Sequence, residues 1–368
     1  MIQTQIKLRL NAKQEATLNG WLWNLTGVWN WSIRTIELNA INKIYYSAKD
    51  FQNLLSGYGG KLGIPSHVLQ GILSQAHCAW ARCFKKITKK PRLKGTRNKL
   101  NSIPFPDPIR FPEGNHIRIQ GIGVVRFHKQ KIPEGKIKCG RIIKRASGWY
   151  FCLFIAADRE PIKRVASGEI GIDPGFKGLL TMSNGEVIKH PRELERSQAR
   201  ISQSQRGNNK KLTALLYEHR ANQVKDRNHK LSLRLVQENK RIRFSSDNIK
   251  GIAKKFGKSV SSSSHYQLRQ MLSYKSRAGG TEYDEPYSRF STKTCSVCGS
   301  LSGPSGWAGL SVRQWRCIDC GNLHDRDVNA ARNTLFAGAG FAHEEICRRM
   351  NLSEISPLNN ERITGHRP

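Results

Sequence analysis

The spacing of hydrophobic and polar residues changes several times along the first half of the chain. Residues 2–9 alternate between the two classes, which predicts a β-strand whose partners lie elsewhere in the sequence. Apolar residues then recur at helical spacing over 11–88, with a separate helix over 68–84. Short alternating runs between 103 and 157 predict closely spaced strands of a small β-barrel. We expect strand 2–9 to complete that barrel and the helices to be inserted between its strands.

The second half of the pattern begins with a buried strand that ends in Asp173. A Pro-Gly turn follows, and the next strand ends in a hairpin turn at Asn184-Gly185. This arrangement is how a ribonuclease-H-like fold presents its first metal-binding carboxylate. The later elements are predicted as helices on both sides of a break near Gly207 within 191–239, a strand over 241–247, a helix over 266–274 and a last strand over 281–286.

Two Cys-x-x-Cys pairs follow the last predicted strand. Their thiolates are able to close a tetrahedron around one zinc ion, and a glycine follows each pair, as a tight metal-binding turn requires. The sequence therefore predicts a zinc ribbon, and the four expected ligands are Cys295, Cys298, Cys317 and Cys320.

Composition adds a partner to this picture. The 368 residues include 62 Lys and Arg against 27 Asp and Glu, a formal charge of +35 that indicates a polyanion such as nucleic acid. No apolar stretch is long enough to span a bilayer and no signal peptide opens the chain, so we expect a protein of the reducing cytoplasm that is not associated with a membrane. One segment without acids is expected to follow phosphates, through Lys85, Lys86, Lys89, Lys90, Arg92, Lys94, Arg97 and Lys99.

Four motifs occur in a fixed order. They are Gly-Ile-Asp173-Pro-Gly, Arg-Ala-Asn-Gln-Val-Lys-Asp226-Arg-Asn-His229-Lys-Leu-Ser, Ser-Thr-Lys-Thr-Cys295-Ser-x-Cys-Gly and His-Asp-Arg-Asp327-Val-Asn-Ala-Ala-Arg-Asn. In this order they resemble the TnpB proteins of insertion sequences, which are RNA-guided DNA endonucleases related to the type V CRISPR effectors. The insert 302–315 is similar to the branch carried with serine-recombinase transposons.

The resemblance implies an α+β multidomain architecture in which a wedge β-barrel holds an inserted helical recognition domain and a ribonuclease-H-like (RuvC) α/β domain is interrupted by the ribbon. It also implies a guide RNA derived from the transposon end, a double-stranded DNA target, and one protein per RNA. The implied domains are the barrel at 1–10 and 96–166, the helical domain at 11–95, the nuclease at 167–290 and 323–340, the ribbon at 291–322, and a C-terminal tail at 341–368.

The resemblance also implies a catalytic site that binds two Mg²⁺ ions. Asp173 and Asp327 match the first and third acids of the family, but Ser245 stands where most relatives have a glutamate. We expect the second acid to have moved to the neighbouring strand, at Glu285, with Glu282 and Asp284 as alternatives on the other face.

Two other functions stay open at this stage. If no acid replaces Ser245, the protein is a nuclease-dead RNA-guided repressor that binds DNA. A guide-independent accessory protein of transposition would use the ribbon and the basic surface alone, but binding does not require Asp173 and Asp327.

Overall fold

The computed structural model describes residues 1–96, 98–111, 114–157, 161–175, 178–189, 192–246, 263–287, 290–306, 309 and 311–336. The chain divides into two compact units, Met1–Arg159 and Glu160–Pro368. None of the described helices is both long enough and apolar enough to cross a membrane.

The first unit combines one sheet with four helices. Its elements are β1 (Ile2–Arg9), α1 (Ala12–Ile41), α2 (Ala48–Asn53), α3 (Tyr58–Leu62), α4 (Ser66–Phe84), β2 (Ser102–Phe105), β3 (His116–Ile119), β4 (Gly123–Phe127), β5 (Lys136–Arg145) and β6 (Gly148–Ala156). The four helices separate β1 from the other strands along the chain, as the alternating pattern predicted.

The six strands lie in the order β2-β5-β6-β1-β4-β3. Strand β1 is antiparallel to both neighbours, with Ile2 opposite Ile155 in β6 and Leu8 opposite Phe127 in β4. Strands β2 and β3 are the edges of the sheet, which makes it a half-barrel where the sequence pattern predicted a small barrel. Helices α1 and α4 pack against β2, one of these edge strands.

Local sequence explains where helix α1 begins. The Asn11 side chain accepts a hydrogen bond from the Gln14 N–H, and the Gln14 side chain accepts one from the Asn11 N–H, which forms a capping box. The buried face of α1 joins that of α4 and the inner face of the sheet in one continuous core. Burial of this shared core is what holds the helical insertion on the sheet.

In its described residues, the second unit carries a mixed five-stranded sheet, a two-stranded sheet, four helices and the cysteine pairs. Its elements are β7 (Gly168–Pro174), β8 (Leu180–Met182), β9 (Val187–Ile188), α5 (Arg192–Arg206), α6 (Lys210–Glu238), β10 (Asn239–Phe244), α7 (His265–Gly279), β11 (Glu282–Asp284), β12 (Gln314–Arg316), β13 (Leu323–Asp325) and α8 (Arg326–Phe336). The break between α5 and α6 falls at Gly207, as predicted.

Five strands of this unit form one sheet in the order β11-β10-β7-β8-β9. Strands β7, β8 and β9 are antiparallel neighbours, whereas β10 is parallel to β7 and β11 is parallel to β10. Ile172 and Phe244 point to the face covered by α6 and α7, where they are fully buried. Because β7, β10 and β11 are parallel to one another, their C-terminal ends lie at the same edge of the sheet.

Candidate metal centres and nucleic-acid surface

The four predicted zinc ligands come together in space. Their Sγ atoms all lie within 4.8 Å of one another, with 3.7 Å between Cys295 and Cys320 and 3.6 Å between Cys298 and Cys317. A tetrahedral zinc with Zn–S bonds of about 2.3 Å requires sulfur atoms about 3.8 Å apart. The spacing therefore fits a closed four-thiolate site, which is the geometry of structural zinc.

The backbone and neighbouring side chains prepare these thiols as ligands. Gly299 and Gly321 follow the two pairs with φ angles of +78° and +69°, a conformation that glycine adopts without a steric penalty. The Ser302 hydroxyl donates to the Cys317 Sγ at 3.2 Å. The Asn322 amide donates to the Cys320 Sγ at 3.3 Å and lowers the pKa of that thiol, which favours the thiolate form that binds metal.

His324 contacts the same cluster and was not identified from the sequence. Its Nε2 lies 3.1 Å from the Cys295 Sγ, and its ring packs on Trp315 with 4.7 Å between centroids. His324 is buried, and burial lowers the pKa of its imidazole. A neutral ring that donates to a thiolate is a common outer contact of metal sites.

The ribbon is fixed to helix α8 by two asparagines one turn apart. The side chains of Asn329 and Asn333 both donate to the carbonyls of Ser291 and Thr294, at 2.7 to 3.2 Å, and the Asn329 Oδ1 accepts from the Ser296 N–H. The i, i+4 spacing of two asparagines on a helix face was the available sequence signal, but its purpose depends on the fold. Folding of the ribbon therefore positions the helix that carries Asp327.

Asp327 lies in the first turn of α8. Asp325 begins this helix by accepting hydrogen bonds from the N–H groups of Asp327 and Val328 at 3.0 and 2.9 Å. The Asp327 Oδ2 accepts from the Arg313 Nη1 at 2.9 Å. A negative charge in this position is stabilised by the helix dipole as well as by the guanidinium.

Asp173 lies on the sheet face that α8 covers. It alternates with Ile172, whose side chain points to the opposite face. Gly171 shares the Asp173 face, and a Cβ built there would lie 2.1 Å from the Ala331 carbonyl oxygen of α8. The absence of a side chain at Gly171 thus allows α8, the helix that carries Asp327, to approach β7 closely on the Asp173 face.

Ser245 and Asp284 share this face as well. The Ser245 N–H donates to the Ile172 carbonyl at 2.9 Å, which continues the parallel pairing and sets Ser245 beside Asp173. Asp284 is the register partner of Arg243, whose Nε lies 3.3 Å from the Asp284 Oδ2. Burial raises the pKa of Asp284, against the effect of this arginine.

Glu285 lies at the end of the same strand but points to the other face. The Ser246 N–H donates to the Pro286 carbonyl at 3.1 Å, so the register continues past β11 and sets Glu285 beside Phe244. Its carboxylate accepts from the Arg269 guanidinium of α7 and, at 2.6 Å, from the Tyr283 hydroxyl. The sequence predicted that Glu285 and Asp284 lie on opposite faces, and the register shows that Asp284 is the one on the Asp173 face.

The carboxylates do not form a cluster like that of the thiols. Among the described residues, the four cysteines are the group whose ligand atoms come within 4.8 Å of one another. Asp327, Asp284 and Glu285 each contact an arginine instead. This agrees with the mutual repulsion of carboxylates and with the attraction of each carboxylate to a cation.

The predicted phosphate-binding segment, residues 85–99, lies alongside helix α1 in the first unit. Its backbone is held by side chains of that helix: the Trp29 Nε1 donates to the Arg92 carbonyl at 3.2 Å, and Asn30 exchanges two hydrogen bonds with the Lys94 backbone. These contacts order a segment that composition alone describes as a loop. The cations themselves stay largely in solvent, with exposed side chains at Lys85, Lys86, Lys89, Lys90, Arg92 and Lys99 and a half-buried one at Lys94, while Arg97 lies outside the described residues.

A buried lysine lies between α6 and α7. The Lys275 Nζ donates to the His229 carbonyl at 2.5 Å and to the Ser232 hydroxyl at 2.8 Å. Burial lowers the pKa of Lys275 to about 8. His229 and Ser232 belong to the second sequence motif, so part of that motif maintains the contact between these helices.

Comparisons with known proteins agree with this geometry. Residues 265–334 match the family model described as Cas12f1-like, TNB domain. A protein of Streptomyces pristinaespiralis named "Putative RNA-guided DNA endonuclease" is 30% identical over 294 residues, which are 75% of this chain and 72% of that protein. InsQ of Escherichia coli K12, given the same description, is 24% identical over 74% of this chain and 75% of its own length.

A solved structure shares the fold. The cryo-EM structure of a Cas12f1-sgRNA-target DNA complex superposes with a TM-score of 0.55 and 13% identity over 87% of this chain and 82% of that chain. A TnpB-like protein of Acanthamoeba polyphaga mimivirus is 33% identical over 125 residues, 32% of this chain and 23% of that protein. The sequence motifs, the fold and these relatives agree, and the chain belongs to the TnpB-like family.

Proposed function

We propose that the protein is an RNA-guided DNA endonuclease encoded by an insertion sequence, which hydrolyses phosphodiester bonds of DNA matched to its guide. The observation that supports this proposal is that helix α8, which carries Asp327 and is fixed to the ribbon, packs at Gly171 on the sheet face to which Asp173 belongs. Binding of nucleic acid alone does not require these acids.

The donor set of this face fits magnesium. Asp173, Asp327 and an acid of strand β11 offer hard carboxylate oxygens, which are the ligands that Mg²⁺ takes in proteins. When bound, a pair of such ions activates the attacking water and stabilises the leaving oxygen of the phosphate. The residues themselves supply negative charge, and Arg313 is available to neutralise Asp327 until cations bind.

The third acid is the open part of this site. Glu285 is the choice that the sequence favours, but its use as a ligand requires its carboxylate to leave Arg269 and Tyr283 and to turn around the strand end. Asp284 already shares the face of Asp173, where it contacts Arg243, whose guanidinium also donates to the Leu335 carbonyl of α8. The register therefore favours Asp284, with Glu285 as the alternative and Glu282 further from the strand end.

The partners follow from the charge and from the family. A net charge of +35 indicates a polyanionic partner, and the basic segment that lies alongside α1 is suited to contact successive phosphates. We infer a guide RNA, a double-stranded DNA target and one protein per RNA, acting at the nucleoid. The proposed domains are those of the resemblance, a wedge domain around the helical insertion and a RuvC domain around the ribbon, and the tail at 341–368 lies outside the described residues.

A nuclease-dead binder of guide-matched DNA is the second candidate. The observation that favours it is Ser245, which lies beside Asp173 with a hydroxyl in place of a carboxylate. The Ser245→Glu variant distinguishes the endonuclease from the nuclease-dead binder. If the wild type is inactive, the restored acid should produce cleavage; if the wild type is active, it should increase the cleavage rate little.

The proposal is tested by expressing the protein from a gene that keeps its native flanking DNA, purifying the protein, and sequencing the RNA that copurifies. We expect one defined RNA species, part of whose sequence matches the DNA that is bound. The Asp284→Asn and Glu285→Gln variants, each loaded with that RNA, are then compared for cleavage of matched DNA. Absence of any defined RNA overturns the RNA-guided function. Equal cleavage by both variants and the wild type overturns the relocated third acid but not the guide.

A further inference from the structure

Three aromatic rings of the first unit contact one another in a row that runs from the core to the surface. Trp80 is buried and donates from its Nε1 to the Ile33 carbonyl at 3.1 Å. Phe84 stacks on it one turn later, with 5.2 Å between centroids and 27° between planes, and Tyr45 meets Phe84 edge-on at 6.0 Å and 84°. Tyr45 and Phe84 are 69% and 47% exposed. We call Tyr45 and Phe84 together the aromatic pair.

The backbone around the pair is fixed by the fold. Lys43 adopts a φ of +56° after the end of α1, and the Ile44 N–H donates to the Asn39 carbonyl at 2.8 Å. The His77 Nε2 lies 3.1 Å from the Tyr46 carbonyl, which ties the Tyr45 loop to helix α4. The backbone beside Tyr45 is therefore hydrogen-bonded to the fold, while the two aromatic rings of the pair stay exposed to solvent in the isolated protein.

The surroundings of the pair are positively charged. Lys43, Arg82, Lys85 and Lys86 lie within two residues of Tyr45 or Phe84, and all four are exposed. The segments 38–46 and 77–90 contain no acid, and Glu37, which directly precedes the first segment, pairs with Lys90. The phosphate-binding segment on α1 begins at Lys85, directly after Phe84, so a strand that follows its cations reaches the rings at one end.

We propose that the aromatic pair is a stacking site for an unpaired nucleobase of the bound nucleic acid. Exposed rings next to lysines are the combination that holds single strands, because each base offers a flat face and each phosphate a charge. A second copy of this chain is a poorer occupant, since it would bring two strongly basic surfaces together. This inference rests on the proposed function only in that the protein binds RNA and DNA.

The test uses full-length protein and labelled 12-nucleotide probes: oligo(rU), oligo(dT) and an abasic strand of equal length. We expect the Tyr45→Ala/Phe84→Ala double variant to bind the two base-bearing probes about 5- to 150-fold more weakly, the range reported for one lost stacking contact. Its affinity for the abasic strand and the slope of log K against log salt concentration should not change, because no phosphate contact is lost.

Two controls accompany the double variant. Tyr45→Phe keeps the ring and should bind like the wild type. Tyr58→Ala removes another exposed tyrosine of the same unit, whose ring lies under the Lys61 Nζ at 5.0 Å, and should also have no effect. A larger loss for oligo(rU) assigns the pair to RNA and a larger loss for oligo(dT) assigns it to a DNA strand, and both support the proposal.

Equal weakening for all three probes, or none, overturns the inference. So does a wild-type dimer, detected by light scattering, that the double variant dissociates without a change in probe affinity. Because the probes are short and unguided, a negative result in this test does not contradict the RNA-guided function. The binding test can also still be interpreted if no guide RNA copurifies.

Discussion

A methyl group added at Gly171 should separate the two acids of the proposed catalytic face. Its Cβ would lie 2.1 Å from the Ala331 carbonyl oxygen, about 1.3 Å short of the 3.4 Å at which ordinary contacts begin, and 2.8 Å from the Leu335 Cβ. Both neighbours belong to α8, whose backbone cannot rotate away as a flexible side chain does. Either α8 moves by about 1 Å or the strand bends, and overpacking of this kind costs about 1–3 kcal/mol of unfolding free energy.

The catalytic effect should exceed the effect on stability. A displacement of about 1 Å in a reacting group costs on the order of a hundredfold in rate. We therefore expect Gly171→Ala to lower the cleavage rate of matched DNA about a hundredfold while leaving zinc content and guide binding unchanged. Gly207→Ala is the matched control, because its added Cβ would meet its neighbours at 3.6 Å or more. Wild-type stability and cleavage in Gly171→Ala would refute the close approach of α8 as the feature that sets the site.

Three further predictions concern the ribbon, the buried lysine and the basic segment. Cys298→Ser should lose the zinc found by elemental analysis and, through the asparagine contacts to α8, most cleavage, whereas Cys139→Ser should keep both. The pKa of Lys275 is lowered to about 8 from 10.5, so the unfolded chain binds more protons between these values, and the unfolding free energy relative to Lys275→Met should rise with pH across that window; a flat difference contradicts this. Lys89→Ala should weaken RNA binding uniformly across sequences and reduce the salt slope by about 1, and an unchanged slope would exclude a phosphate contact.

Element types followed from local sequence more reliably than their assembly. The helix break at Gly207, the start of α4 after Pro65 and the two cysteine turns depend on residues close in sequence, and these predictions are confirmed. Closure of the first sheet depends on whether its edge strands meet, which no local pattern encodes. In the structure β2 and β3 remain the edges of the sheet, and α1 and α4 pack against β2.

The same limit applies to the candidate site. Asp173 and Asp327 were identified from motifs, since each stands in a distinctive local sequence. The side on which Glu285 lies depends on the register of β11 against β10, and a shift of one residue exchanges the faces. The contacts of Asn329, Asn333 and His324 with the ribbon depend on distant parts of the chain and had no sequence signal specific enough to assign them.

Cleavage of a guide-matched duplex by the RNA-loaded protein in Mg²⁺ tests the central claim most directly. We predict that the wild type cuts a matched duplex and spares one mismatched to the guide, while Asp173→Asn binds the matched duplex with wild-type affinity and cuts it about a thousandfold more slowly, the cost of several kcal/mol in transition-state stabilisation. A wild type that binds matched DNA without cutting it, or an Asp173→Asn variant that cuts at the wild-type rate, would contradict the account.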